Sequence, residues 1–94
     1  MAVLTDSQIR EEIKNLPGWQ QKDKAIQRTF QFPDFVAAMR FVNQVAEAAE
    51  LANHHPDIDI RYNKVVLSLE SHDSGGVTER DVRMAGKINR VAGS

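Results

Sequence analysis

Histidine is the side chain whose ordinary pKa, about 6.5, lets it give or take a proton near neutrality. This chain has 3 of them, His54, His55 and His72. Asn53, Asp57, Glu70 and Asp73 flank them. Such a set can serve as acid and base on one small molecule, and positioned groups of this kind typically contribute about 10²–10⁴-fold each. Two other uses fit the same residue types. His54 and His55 before Pro56 can simply end a helix, where an imidazolium favours the negative end of the dipole. Three histidines with a carboxylate can also hold zinc. Against the metal, neighbouring histidines point apart on most backbones, and metal histidines on one element usually sit at repeat spacing.

Other chemistries lack their residues. With 0 cysteines there is no disulfide, thiolate nucleophile or Cys-ligated metal. Ser74-Gly75-Gly76 is too short for a phosphate loop and no Lys follows it. No Gly-x-Ser-x-Gly elbow is present.

The elements that position the histidines can be read from periodicity. Thr5 caps a first helix, with Gln8 at the capping-box position and Ile9, Ile13 and Leu16 at helical spacing. Pro17-Gly18 stops it. Ile26, Arg28, Phe30 and Phe32 alternate with polar neighbours, as in a half-buried strand. Trp19 to Lys22 is its expected hairpin partner, turning at Asp23-Lys24. Pro33 suits a first helical turn. A long helix follows from Asp34, with one apolar row at Phe35, Met39, Val42, Ala46 and Ala49 and a second at Phe41, Val45, Ala48 and Ala52. Two rows suggest two contacts, a sheet and another subunit or partner. Asn53 and Pro56 end this helix.

Ile58, Ile60 and Tyr62 alternate, then Val65, Leu67 and Leu69, with a break at Asn63-Lys64 that reads as a hairpin. His72 to Gly76 is a loop by composition. Thr78 caps a last helix with Asp81 three residues on, and Val82, Ala85, Ile88 and Val91 or Ala92 form its stripe. Trp19 and Tyr62 read as core aromatics. Arg28 falls on the inward row of its strand.

The expected fold is α+β in two layers: a four-stranded antiparallel sheet with three helices on one face, in the order α-β-β-α-β-β-α. Its open edge invites pairing with a second copy. His54 and His55 precede the first strand of the second hairpin and His72 follows the second strand. All three histidines therefore belong at one end of the sheet.

Length, at 94 residues, fits one domain spanning 1–94. The net charge of −1 gives no electrostatic case for nucleic acid or a membrane surface. No stretch approaches the roughly 20 apolar residues of a bilayer span, and Met1 to Asp6 does not read as a secretory signal. A cytoplasmic protein is expected.

Glu50-x-x-x-His54-His55-Pro56, then Tyr62, His72 and Asp81 at their spacings, resembles the motif of pterin-4a-carbinolamine dehydratases. Leu16-Pro17-Gly18-Trp19, Phe30-x-Phe32-x-Asp34-Phe35, Tyr62-Asn63-Lys64-Val65 and Glu79-Arg80-Asp81 are similar to family patterns in the same order. Val66 and Ile58 fall where some relatives carry a polar and an aromatic residue. The resemblance implies loss of water from 4a-hydroxytetrahydropterin to give quinonoid dihydropterin, recycling the cofactor of aromatic amino-acid hydroxylases. It implies no metal and no cofactor of the chain's own. By resemblance His54 and His72 form the acid–base pair and His55 binds and orients the pterin. Asn53, Glu70, Ser71 and Asp73 join the three histidines in contacting substrate, and Tyr62 and Asp81 complete the motif. The resemblance further implies a homodimer or homotetramer. It also implies a second role for some relatives, binding a homeodomain transcription factor as a dimerisation cofactor, which would add a nuclear location.

Overall fold

Seven elements run in the order read above, in a computed structural model that describes residues 2–93. They are α1 (Asp6–Ile13), β1 (Gln20–Lys22), β2 (Ala25–Gln31), α2 (Phe35–Ala52), β3 (Asp57–Arg61), β4 (Lys64–Leu69) and α3 (Glu79–Ala92). The strands form one antiparallel sheet in the spatial order β1-β2-β4-β3. The two hairpins thus join through β2 and β4, leaving β1 and β3 as edges.

Burial follows the two-residue period of the strands. Ile26 pairs with Leu69 and Phe30 with Val65, and all four are buried on the helix-covered face. Their neighbours Gln27, Thr29, Ser68 and Lys64 point to the other, more open face. Trp19, Met84, Ala85 and Ile88 join the same apolar cluster, so α3 and the β1 approach close one core with the sheet. Phe41 of α2 meets Phe30 and Phe32 with ring centroids 4.7 and 5.0 Å apart. Aromatic pairs at such spacing contribute beyond their buried area.

Several boundaries differ from the sequence reading, each for a local reason. Leu16 is buried but lies beyond α1, which ends before the Pro17-Gly18 turn. Pro33 precedes the helix cap, because Asp34 is itself the N-cap and accepts from the Ala37 N–H at 2.8 Å. The first apolar row of α2 is buried only in part. Phe35 is exposed and Ala46 is exposed, whereas Ala38, Phe41, Val42, Val45 and Ala49 are buried. Phe41 and Val45 therefore belong to the core and not to a partner surface. Tyr62 is no core residue either. It sits at φ 54 in the β3–β4 turn, 66% exposed. Lys64 already opens β4, so the turn is one residue earlier than read. On α3 the buried set is Asp81, Met84, Ala85, Ile88 and Asn89, with Val82 only half-buried.

Arg28 does face inward, and it is satisfied there. Its Nη1 donates to Pro17 O at 2.9 Å and to Asn89 Oδ1 at 2.7 Å, and the guanidinium lies over the Phe30 ring. Asn89 Oδ1 also accepts from Trp19 Nε1 at 2.8 Å. This polar knot ties the α1–β1 connection to α3, well away from the histidines in sequence.

Candidate active site

The end of α2 sets the first histidines in place. Asn53 is the C-cap, at φ 50 and ψ 42, a left-handed conformation that Asn tolerates better than most residues. The sharp turn of the chain there hands His54 back toward α3. Its backbone N–H still donates to Ala49 O at 3.1 Å. Two residues after His55, Asp57 begins β3 and pairs with Ser68 of β4. Glu70, Ser71 and His72 leave β4 just past that rung. The hairpin therefore brings residues 53–55 and 70–72 to the same sheet end, as the sequence indicates.

Asp81 joins the two segments. Its carboxylate is 0% exposed and takes three donors. Oδ1 lies 2.5 Å from His54 Nε2, and Oδ2 accepts from Ser71 Oγ and from the Thr78 N–H, both at 2.9 Å. Ser71 Oγ also lies 2.8 Å from Thr78 Oγ1. A buried carboxylate survives only when paired and hydrogen-bonded, and Asp81 meets both conditions. It completes the capping box of α3 with Thr78. One side chain thus caps a helix, anchors β4's exit and holds His54. The carboxylate engages the ring through Nε2, and Nδ1 is the nitrogen it does not touch. Asp81 in this way orients the ring.

The loop after β4 is held from within. Ser71 O accepts the N–H groups of Ser74 and Gly75, both at 2.9 Å, and Ser71 N donates to Gly76 O at 2.9 Å. Gly75 takes φ 82, which glycine adopts without a steric penalty. His72 projects from this loop, with its side chain 73% exposed and Nδ1 4.0 Å from Glu70 Oε2. Asp73 pairs with Arg80 Nη2 at 2.5 Å. The Arg80 guanidinium holds the Asp73 carboxyl below the usual carboxylate range, and Asp73 in turn raises Arg80.

His55 is exposed and bonds through Nε2 to Glu50 Oε2. Asn53 is exposed, Glu70 half-buried, and the Ser71 hydroxyl is wholly engaged with protein. His54 lines a cleft of about 100 Å³ with Ala52, Arg80, Arg83, Met84 and Lys87. Neither His55 nor His72 lines that cleft, and a separate hollow on the open sheet face takes in Glu70. The histidines share a sheet end and are linked through Asp81 and Ser71, but they do not line one enclosed pocket. Among the described residues, no group of three His, Asp or Glu side chains could hold a metal ion.

Sequence reasoning reached the histidines, took Arg80 only as part of a motif, and left Arg83 and Lys87 unremarked. Their signal was present, since Arg80, Arg83 and Lys87 recur at i, i+3 and i+7, one helical face. Glu50 as the partner of His55 was likewise visible only as a motif residue.

Comparison with known proteins now adds to this geometry. Residues 2–91 match the family model described as Pterin 4 alpha carbinolamine dehydratase. The chain is 53% identical over 88 residues to a protein of Koribacter versatilis, covering 94% of both chains. It is 58% identical over 91 residues to one of Acidobacterium capsulatum, covering 97% of this chain and 99% of that one. Both are named as candidate pterin-4-alpha-carbinolamine dehydratases. A crystal structure from Brucella melitensis, described as a transcriptional coactivator/pterin dehydratase, is 43% identical and superposes with a TM-score of 0.91, covering 96% of this chain and 98% of that one. With the motif histidines, the buried aspartate and the element order all in place, the chain belongs to the pterin-4a-carbinolamine dehydratase family.

Proposed function

We propose that this protein removes water from a 4a-hydroxytetrahydropterin to give the quinonoid dihydropterin. The C4a–O bond breaks and the hydroxyl leaves as water after accepting a proton. The N5 proton is given up, and its electron pair forms the new N5–C4a double bond. Protons move and no electrons are exchanged with a second molecule, so the chemistry calls for one acid, one base and no redox cofactor.

His54 is the base in this reading. The observation that carries it is the bond from Nε2 to buried Asp81, which leaves Nδ1 to take the N5 proton. His72, on the loop beyond β4 with Glu70 nearby, gives its proton to the departing hydroxyl. His55, steadied by Glu50, orients the ring. Asn53, Glu70, Ser71 and Asp73 frame the substrate, with Ser71 acting through its hold on Asp81. The pterin presents an amide and a guanidine-like edge, which suits carboxylate and backbone partners. Recycling of tetrahydrobiopterin in the cytoplasm, by a homodimer or homotetramer, completes the proposal.

The test is dehydration of synthetic 4a-hydroxytetrahydropterin followed by ultraviolet absorbance, without added metal. Acceleration over the spontaneous rate supports the reading, and a rate equal to background rejects it. A coactivator role is the second reading, favoured by the name of the Brucella melitensis structure and by exposed Val36 and Leu51 on α2. It gains ground if the purified protein lacks dehydration yet binds a helical dimerisation segment of a transcription factor.

A further inference from the structure

The cleft beside His54 has a character that the proton chemistry does not require. Four of its six lining residues are His54, Arg80, Arg83 and Lys87, and none is acidic. The three cations rise along one face of α3, and the end of α2 at Ala52 closes the other side. Arg83 and Lys87 form no ion pair among the described residues, and both are exposed at the cleft mouth. Arg80 gives Nη2 to Asp73, while its Nε is out of solvent with no acceptor. A cleft lined by cations with no carboxylate among them is a physical reason for an anion to bind there. Cations beside the end of α2 also offset its dipole, but that effect does not discriminate between ligands.

At about 100 Å³ the cleft is too small for a bicyclic pterin and large enough for a compact group such as phosphate or carboxylate. We infer that it receives an anionic substituent carried on the pterin side chain, and so selects charged pterins over neutral ones. This rests on the reading of His54 as part of the pterin site. His54 lines the cleft and belongs to the proposed reaction centre, so Arg83 and Lys87 share a cleft with the proposed base.

The experiment compares pterins with a phosphate ester, a carboxylate or a neutral hydroxyalkyl group on the side chain. Equilibrium binding of the fully oxidised pterins, read by their fluorescence, needs no catalysis. Dehydration of the matching 4a-hydroxytetrahydropterins gives kcat/KM. The variants are Arg83→Ala with Lys87→Ala, and the charge reversal Arg83→Glu. Wild type is expected to favour the anionic pterins, and each variant to cut that preference by about tenfold or more. Inorganic phosphate should compete with the phosphorylated pterin and not with the neutral one. Equal binding of charged and neutral pterins, or a preference the variants leave intact, overturns the inference while the dehydratase reading stands. Phosphate that binds without competing also overturns it. Selective binding without any dehydration supports the anionic cleft and rejects the dehydratase reading instead.

Discussion

Asp81 is the residue on which the site's geometry turns. Removing its carboxylate leaves Ser71 Oγ, the Thr78 N–H and His54 Nε2 without their acceptor in a fully buried place. Asp81→Ala should therefore destabilise the fold by about 3 kcal/mol, a fall of more than 10 °C in Tm for a chain of this size. Asp81→Asn keeps the shape, but its NH2 only donates, so the donors facing that side lose their acceptor. Turnover should then fall more than stability does, measured as kcat beside thermal midpoint. Asp73 illustrates a weaker, exposed pair. Arg80 depresses its pKa in the folded state, so the stability it contributes is present above about pH 4 and is lost as pH falls further. The midpoint of wild type should drop more between pH 5 and pH 3 than that of Asp73→Asn, and parallel curves would contradict this. The residue types at the site were legible in the sequence because histidines are few and spaced. Asp81's bond to His54 was not, since Thr78-x-x-Asp81 is fully explained as a capping box until the fold brings residue 54 beside it.

At the scale of elements, placement of His54 depends on how α2 ends. Asn53 holds the left-handed conformation that turns the chain toward α3. Asn53→Gly should keep stability, because glycine adopts that conformation freely. Asn53→Val should cost about 1–2 kcal/mol and lower kcat by moving His54. Equal Tm and kcat for the two variants would refute a role for this cap. Element order and type followed directly from periodicity, and both capping boxes were readable from Thr5-x-x-Gln8 and Thr78-x-x-Asp81. Boundaries were less so. Pro33 reads as a first-turn residue until Asp34 is seen to cap, and Tyr62 reads as strand until its positive φ assigns it to the turn.

For the whole molecule, the core decides which face of α2 is free. Its sequence is apolar on more than one row, so periodicity alone could not say which row the sheet covers. Packing of Phe41 on Phe30 and Phe32 settles it. Phe41→Ala should cost about 3–5 kcal/mol, seen as a large loss of Tm. Leu51→Ala, at a side chain 88% exposed, should leave Tm nearly unchanged and report only on association, by sedimentation. Similar Tm losses for both would contradict this division of the helix.

The most direct test of the account is the dehydration rate of 4a-hydroxytetrahydropterin in His54→Ala, His72→Ala and the double variant, each shown by circular dichroism to be folded. Each single change should lower kcat by about 10²-fold or more, and the pair should approach the spontaneous rate. A folded double variant that still turns over at the wild-type rate would contradict it.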